Sequence, residues 1–186
     1  MSRLMIFLRE IVAYPAQMGA IMPSSKQLAN RFAKCVPADT RGIILELGAG
    51  TGAITEVLLQ QTYASQVVAI ESSAKLTQHL QRRLPQLRVH QGDAQEASHL
   101  LKDYTTPVRV IISGLPLRSL PPAVVKRISQ EIEKILPPGG LFIQFTYSLW
   151  GNTHMRLLSP SLRPISYHRV WLNLPPARVI VYQKSE

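Results

Sequence analysis

Three observations predict an α/β fold for this chain, with a mostly parallel β-sheet between two layers of helices. Short apolar or β-branched runs alternate with helical patterns from Gly42 to residue 147. The first run leads directly into a glycine-rich turn over residues 48–52. Hydrophobic residues make up 46% of the 186 residues, enough to bury both faces of such a sheet within one domain. In a fold of this kind, ligands bind at the carboxyl ends of the strands.

Two helices are predicted before the alternation begins. Residues 3–13 carry apolar side chains at helical spacing over a wide arc, with arginines near its edge. Such a helix suits either a membrane interface or a position over the ligand cleft, and the pattern does not separate the two. A second helix is predicted from Lys26 to Val36, where Ser24 and Ser25 can supply the N-terminal cap.

The alternating region supplies the parallel part of the sheet. The strand-like runs cover residues 42–47, 66–70, 87–90, 108–113 and 140–147, and the helical patterns cover residues 53–61, 73–84, 94–102 and 121–136. A helix between two such strands provides the crossover that parallel pairing requires.

The carboxyl-terminal part of the chain predicts an antiparallel hairpin instead. Two strand-like runs, residues 166–174 and 178–183, are joined by the segment Asn173-Leu-Pro-Pro. This link is too short for a parallel crossover. The two runs should therefore pair with each other in opposite directions.

Charge and cysteine content narrow the function classes. The formal net charge of +10 favours an anionic partner, either a nucleic acid or an acidic membrane surface, although it also serves solubility. Cys35 is the single cysteine, so no internal disulfide can form, which suits a reducing cytoplasm. No apolar run approaches the ~20 residues of a membrane span, and the start lacks a signal-peptide pattern. We expect a cytoplasmic protein.

Glycines and acids at successive strand ends predict the cofactor. The turn satisfies the dinucleotide pattern G-x-G-x-x-G/A, so the glycines alone leave the ligand open. Glu46 precedes them, Glu71 ends the second strand-like run, and Asp93 follows the third. Two acids at neighbouring strand ends suit a ribose diol and an exocyclic adenine amine, with no pyrophosphate to neutralise. This combination indicates S-adenosylmethionine.

Each of these acids has a structural alternative. Glu71 would accept the ribose hydroxyls, or would cap the helix that follows Ser72. Asp93 in Gly92-Asp93-Ala94 would accept from the adenine amine, with the Ala94 N–H beside it, or would cap the next helix. Glu46 would hold the glycine turn or reach the amino group of the ligand.

The end of the fourth strand bears on the acceptor of the methyl group. Methylases of adenine amines carry Asn or Asp, then Pro, then an aromatic residue at this position, which hold and stack the flipped base. Ser113 and Leu117 suit neither purpose. An alkyl amine needs only desolvation, alignment and loss of a proton, which costs on the order of 4–5 kcal/mol at pH 7 for a lysine-like pKa. An apolar pocket near Leu115 and Leu117 would reduce that cost.

Tyr147, at the end of the fifth strand, is the side chain predicted to lie beside the transferring methyl group. It could orient the amine by hydrogen bonding or hold a cationic product against its ring, with half-buried packing as the alternative. His154 and His168 are proton acceptors by residue type, but each is more simply a surface histidine. The candidate catalytic residues are Ser113, Gly114, Leu115 and Tyr147, and no metal site is predicted.

Seven segments together resemble the bacterial phospholipid N-methyltransferase family, which has the Rossmann-like class I methyltransferase fold, over nearly the whole chain. The segments are Gly19-Ala-Ile-Met-Pro-Ser-Ser, Glu46-Leu-Gly-Ala-Gly-Thr-Gly, Gly92-Asp93-Ala94, Ser113-Gly-Leu-Pro-Leu117, Pro138-Gly-Gly140, Gln144-Phe-Thr-Tyr147 and Asn173-Leu-Pro-Pro176. The wider relationship includes the ribosomal RNA adenine dimethylases, whose Asn-Leu-Pro-Tyr is replaced here by Ser-Gly-Leu-Pro. Ala49 departs from the pattern, because many members have Pro there.

The resemblance implies stepwise methylation of phosphatidylethanolamine toward phosphatidylcholine with S-adenosylmethionine. It also implies that Ser24, Ser25 and Ser113-Gly114 join the glycine turn, Glu71 and Asp93 around the cofactor. The full predicted cofactor set is Ser24, Ser25, Glu46, Gly48, Ala49, Gly50, Gly52, Glu71, Ser72, Gly92, Asp93, Ala94 and Ser113. Residues 1–38 would form a helical lid or membrane contact, and residues 39–186 the cofactor-binding domain.

Two other functions stay open from the sequence. The same cofactor would serve the methylation of RNA or protein, and RNA suits the positive charge as well as lipid does. A membrane-associated protein that binds the cofactor without turnover would carry the same motifs. We expect peripheral association with the inner face of the membrane through residues 3–13 and the basic carboxyl-terminal surface. The sequence predicts no oligomeric state.

Overall fold

The computed structural model describes residues 25–149, 158–173 and 175–186, so the predictions for residues 3–13, Ser24 and His154 lie outside the described residues. The helices are α1 (Lys26–Lys34), α2 (Ala53–Gln61), α3 (Ala74–Arg83), α4 (Ala97–Leu100) and α5 (Pro122–Ile135). The strands are β1 (Ile43–Leu47), β2 (Val67–Glu71), β3 (Arg88–Gln91), β4 (Val108–Ser113), β5 (Leu141–Thr146), β6 (Leu162–Val170) and β7 (Ala177–Lys184). Single 3₁₀ turns occupy Ala64–Gln66, Ala94–Glu96 and Leu117–Ser119.

These strands form one sheet in the order β3-β2-β1-β4-β5-β7-β6. The first five are mutually parallel, whereas β7 pairs antiparallel with both β5 and β6. The predicted mostly parallel sheet with a carboxyl-terminal antiparallel hairpin is therefore confirmed. Since the strand order reverses between β1 and β4, the switch point at which such sheets bind ligands lies between these two strands.

Helices cover both faces of the sheet. On one face, α1, α2 and α3 contribute Phe32, Leu58 and Leu80 to a core with the sheet. On the other face, α5 contributes Ile128 and Ile132, and α4 packs beside it. All five residues of β1 and all five of β2 are buried, as expected for parallel strands covered on both sides.

The hairpin is confirmed in its pairing, but the predicted bounds of its first strand are wrong. β6 begins and ends earlier than the predicted residues 166–174. Pro164 conceals the beginning in the sequence, because proline cannot donate to a ladder and is tolerated only at a sheet edge. Trp171 and Leu172 extend the apolar pattern beyond the strand, although both lie exposed in the turn.

The predicted helix over residues 94–102 is also shorter than expected. A 3₁₀ turn comes first, and only the four residues of α4 are helical. The Glu131 carboxylate of α5 accepts a hydrogen bond from the backbone N–H of Ser98 at 2.7 Å, which satisfies one of the free N–H groups at the start of α4.

One edge of the sheet gathers the segments that carry the predicted site. The parallel strands β1 to β5 end there, and the turn between β6 and β7 returns to it, since Thr146 pairs with Arg178 and Val170 pairs with Ala177. We define this as the site edge, made of residues 48–52, 71–73, 92–94, 113–117, 147, 171–173 and 175–176.

Candidate active site

The glycine turn is shaped by backbone that residues with side chains seldom adopt. Gly48, Gly50 and Gly52 have φ values of +74°, +58° and +88°. A Cβ on Gly48 would lie 2.5 Å from the Cδ2 atom of Leu115, whereas a Cβ on Gly50 would meet nothing within 4 Å. Gly50 therefore faces open space, and a ligand can lie directly against its backbone.

Glu71 joins the glycine turn to the beginning of α3. Its Oε2 atom accepts from the backbone N–H of Gly50 at 2.9 Å, and its Oε1 atom accepts from the backbone N–H of Ser73 at 2.8 Å. Ser73 caps α3, since its hydroxyl accepts from the Leu76 N–H. The helix-capping alternative for Glu71 is thus present in the structure. The same carboxylate lies beside Gly50, where a ribose would also meet it.

Glu46 is a fully buried carboxyl group behind the glycine turn. Its Oε2 atom accepts from the Thr55 hydroxyl of α2 at 2.6 Å, and its Oε1 atom has no hydrogen-bond partner among the described residues. Burial raises the pKa of Glu46 from 4.5 to about 8, with the hydrogen bond from Thr55 opposing the rise and the nearby Glu71 charge adding to it. In this state Glu46 is mostly protonated at neutral pH.

Asp93 lies at the end of β3 and forms the predicted cap. Its Oδ1 atom accepts from the backbone N–H of Gln95 at 2.9 Å, and its Oδ2 atom accepts from the Gln95 side-chain amide at 3.1 Å. Gly92 donates its N–H to the Glu71 carbonyl at 3.0 Å, which places Asp93 beside the end of β2. Ala94 is buried beneath it.

The end of β4 is packed against the glycine turn. Gly114 donates its N–H to the Leu47 carbonyl at 2.9 Å, and a Cβ on Gly114 would lie 2.7 Å from the Gly48 carbonyl oxygen. Ser113 is fully buried, and its hydroxyl accepts from the Leu115 N–H at 3.3 Å. Leu115 and Leu117 are buried in the core beneath α5. Both leucines therefore form the floor of this edge and do not line an open pocket.

Tyr147 is linked through Asn173 to Ser25, near the start of the described residues. The Asn173 side chain forms a hydrogen bond with the Tyr147 hydroxyl and accepts one from the Ser25 hydroxyl at 2.6 Å. Ser25 also caps α1, accepting from the Leu28 N–H at 3.2 Å. Burial raises the pKa of Tyr147, and the Asn173 hydrogen bond opposes the rise. Tyr147 is consequently a neutral phenol at pH 7, able to donate a hydrogen bond but not to act as a base.

Sequence reasoning missed Asn173 as a residue of the site. It is 5% exposed, although it lies in a turn. One faint signal was available, because the Asn-Leu-Pro-Pro segment is one of those that carry the resemblance. Gln144 was missed in the same way: its side-chain amide donates to the Leu115 carbonyl at 2.9 Å and so ties β5 to the end of β4.

The remaining predicted residues take different positions. Ala49 is buried within the turn, and Ser72 lies half-buried beside the Glu71 carboxylate. His168 lies within β6, where burial and the nearby Arg31 charge lower the pKa of its imidazole. Its ring nitrogen lies 3.2 Å from the Ser166 hydroxyl. The structure thus brings together the glycine turn, Glu46 and Glu71, and it joins Tyr147 to Ser25, but it leaves His168 on the hairpin.

The arrangement fits S-adenosylmethionine. The Glu71 carboxylate approaches the glycine turn from β2, and its negative charge suits a ligand with a positive sulfonium and amino group. Gly50 faces open space for the ligand, and the unpartnered Oε1 atom of Glu46 is a buried polar group near that turn. The sheet order, the turn and the acids define a class I S-adenosylmethionine-dependent methyltransferase.

The chain belongs to the methyltransferase domain family, whose model matches residues 44–140, just over half of the chain. The ornithine lipid N-methyltransferase of Singulisphaera acidiphila is 25% identical over 95% of this chain and 94% of that protein. The ribosomal RNA small subunit methyltransferase A of Ureaplasma urealyticum is 28% identical over 62% of this chain and 43% of that protein. The enzyme is a methyltransferase with S-adenosylmethionine as its methyl donor.

Solved structures with the same architecture agree with this fold. The N-methyltransferase NodS of Bradyrhizobium japonicum WM9, in complex with S-adenosyl-L-homocysteine, superposes with a TM-score of 0.71 over 98% of both chains at 14% identity. TrmN of Thermus thermophilus superposes with a TM-score of 0.67 over 95% of this chain and 53% of that one, at 23% identity. At these identities the likeness establishes the fold alone.

Proposed function

We propose that this enzyme transfers methyl groups to the amine of phosphatidylethanolamine-type phospholipids, toward phosphatidylcholine, as the phospholipid N-methyltransferase family does. The observation that carries the proposal is the similarity to an ornithine lipid N-methyltransferase over nearly the full length of both chains. An ornithine lipid and a phosphatidylethanolamine both present an alkyl amine at a membrane surface. Nitrogen as the acceptor atom is supported by the same relative.

The end of β4 supports an alkyl amine over an aryl amine. The Ser113 hydroxyl is engaged with the Leu115 N–H inside the turn, and Leu117 is buried in the core. Neither side chain supplies the amide or the stacking ring that methylases of adenine use to hold a flipped base. An alkyl amine requires neither group.

The proposed roles of the site residues follow from their positions. Glu71 and Asp93 would hold the ribose and adenine of the cofactor, and the glycine turn would lie against its methionine part. When bound, S-adenosylmethionine supplies an electrophilic methyl group. Tyr147 would orient the acceptor amine by donating a hydrogen bond. Transfer needs the uncharged amine, so the substrate ammonium first releases one proton to solvent. The amine nitrogen would then bond to the methyl carbon as the sulfonium C–S bond breaks, which leaves S-adenosylhomocysteine and a methylated ammonium.

Residues 1–38 and the basic carboxyl-terminal surface are the proposed regions of contact with the inner face of the membrane. The described residues contain no helix that is both long enough and apolar enough to cross a bilayer. Peripheral association would bring a lipid headgroup to the site edge, while residues 39–186 bind the cofactor.

A methyl-labelling experiment tests this proposal. Labelled S-adenosylmethionine is incubated with the full chain and, in parallel, with vesicles of phosphatidylethanolamine, ornithine lipid vesicles, ribosomal RNA and a protein extract. We expect label in phosphatidylethanolamine, at a higher rate when an anionic lipid is included. Label in RNA alone would support the RNA methyltransferase alternative. Calorimetric binding of the cofactor with no label in any acceptor would support a non-catalytic protein.

The variant Tyr147→Phe tests the role given to the phenol. Loss of one hydrogen bond should lower turnover about fivefold while the affinity for S-adenosylmethionine is retained. Tyr63→Phe is the matched control, because Tyr63 is 79% exposed and precedes β2 at the edge opposite the site. Equal turnover of the two variants would remove the hydroxyl of Tyr147 from the mechanism.

A further inference from the structure

Exposed apolar side chains are concentrated at one place on the described surface. Ile165, Tyr167, Trp171 and Leu172 are 54%, 46%, 59% and 79% exposed, within one short stretch of chain. Among the described residues, the remaining large apolar side chain of comparable exposure is Tyr63, at the opposite edge. A cluster of this kind on a folded protein marks a surface that contacts another apolar phase or partner.

The strand that carries these residues has two different sides. Leu162 is buried in the core beneath α5 and Val170 in the core beneath α1, on opposite faces of the sheet. The register shifts at Ile165, between Pro164 and Ser166, so the exposed Tyr167 and Arg169 lie on one face of the sheet and the exposed Arg163 lies on the other. β6 is the outermost strand of the described sheet, so this surface is accessible along its length.

Positive charge accompanies the apolar residues. Arg169 is exposed, whereas its cross-strand partner Arg178 is buried, with its guanidinium 5.4 Å from the centre of the Tyr167 ring. Arginine near Tyr, Trp and Leu is the combination found where proteins meet lipid headgroups: the rings lie at headgroup level, the aliphatic side chain enters the hydrocarbon boundary, and the guanidinium binds phosphate.

The surface ends at the site edge. Trp171 and Leu172 lie in the β6–β7 turn, and the next residue, Asn173, forms the hydrogen bond with Tyr147. A bilayer that received this turn would present its headgroups beside the phenol proposed to orient the amine. This is the geometry required of an enzyme whose acceptor stays in the membrane.

We propose that Ile165, Tyr167, Arg169, Trp171 and Leu172 form a docking surface for an anionic bilayer, with Trp171 and Leu172 entering the interface; this inference rests on the proposed lipid acceptor. Charge complementarity and the exposed aliphatic side chains favour an anionic bilayer as the partner of this surface. Tyr and Trp could stack on RNA bases, but Ile165 and Leu172 gain nothing from a sugar–phosphate chain. An RNA is therefore an outcome of the test and not the proposed partner.

The first test measures the fluorescence of Trp171. The chain has two tryptophans, so Trp150→Phe leaves Trp171 as the sole reporter. We expect its emission to shift to shorter wavelength on addition of vesicles of phosphatidylethanolamine and phosphatidylglycerol, and to be quenched by brominated acyl chains. Vesicles of phosphatidylcholine alone should give a smaller shift. Emission that is unchanged by vesicles but altered by RNA would overturn the docking surface.

The second test removes the apolar contact. In co-sedimentation with the anionic vesicles, Trp171→Ala with Leu172→Ala should weaken binding about tenfold or more, because two side chains no longer leave water. Arg169→Gln should weaken it about fivefold and reduce its salt dependence. Tyr63→Ala is the control for an exposed aromatic residue elsewhere and should bind as the unmodified chain does. Thermal midpoints and cofactor affinity establish that each variant is folded.

The outcomes separate this inference from the proposed function. If phosphatidylethanolamine is methylated while the Trp171/Leu172 variant binds vesicles normally, the lipid acceptor stands and the docking surface is wrong. If Trp171 enters the bilayer while label appears only in RNA or protein, the docking surface stands and the proposed acceptor is wrong.

Discussion

The burial and the hydrogen-bond partners of a side chain indicate what it does at this site. Glu46 is the clearest case, because a carboxyl group with no access to solvent and one unpartnered oxygen is costly to ionise. Its position behind the glycine turn means that its protonation state and the stability of that turn are linked. Among the described residues, Thr55 supplies the hydrogen bond that partly offsets the burial.

The raised pKa of Glu46 gives the stability of the free protein a pH dependence. The folded pKa of about 8 lies above the ordinary 4.5, so the folded state binds the extra proton between these values. The contribution of this group is complete below pH 4.5 and is lost as the pH rises through 8. Within that window the free energy of unfolding should fall by up to about 1.4 kcal/mol per pH unit.

The variant Glu46→Gln isolates this effect, because the amide fills the same volume and can still accept from Thr55. Denaturant unfolding between pH 6 and 8 should show the unmodified protein losing stability relative to the variant as the pH rises. A constant difference across this range would show that Glu46 does not titrate there.

Elements of this chain differ in how far the sequence specifies them. The helix predicted over residues 53–61 is observed as Ala53–Gln61, because a glycine turn precedes it and its pattern is purely local. The beginning of β6 could not be predicted, because Pro164 is acceptable there only through its place at the edge of the sheet. The place of a strand within the sheet depends on residues elsewhere in the chain, so the residues of the strand alone do not predict it.

The candidate site shows the same division. Glu46, Glu71 and the glycines lie at adjacent strand ends, and a parallel sheet brings such ends together, so their proximity was predictable from strand order. The bond between Ser25 and Asn173 joins residues 148 positions apart and depends on the register of the hairpin. No local sequence pattern predicts the register of the hairpin, and the role of Asn173 was therefore missed.

The glycine turn permits a prediction with a matched control. Gly50 and Gly139 both have positive φ, at +58° and +78°, and a Cβ on either would meet nothing within 4 Å. Gly50→Ala and Gly139→Ala should each destabilise the fold by about 1 kcal/mol, from the backbone conformation alone. Only Gly50→Ala should also weaken the binding of S-adenosylmethionine, because its methyl group would enter the ligand space. Calorimetry that found equal affinities would move the ligand away from Gly50.

The whole molecule combines a closed α/β core with a strongly positive surface. Its net charge of +10 adds a general attraction to anionic surfaces. The hairpin returns to the same edge as the parallel strands, so the glycine turn, Tyr147 and the end of the proposed docking surface lie at one edge of the sheet.

Cofactor binding should stabilise the molecule as one unit. S-adenosylmethionine at a free concentration of about 100 times its Kd should add about 2.7 kcal/mol to the free energy of unfolding. For a domain of this size, the thermal midpoint should rise by roughly 5–10 °C. The dinucleotide NAD is the control ligand, and differential scanning calorimetry is the measurement. A larger rise in the thermal midpoint with NAD would indicate that the glycine turn binds a dinucleotide.

The Asn173 side chain, in the turn of the hairpin, forms hydrogen bonds with Ser25 at the start of α1 and with Tyr147 after β5. One short side chain therefore connects three segments that are far apart in the sequence. One of these hydrogen bonds is thus the shortest connection from the proposed membrane-facing turn to the phenol, and it bypasses the packed interior.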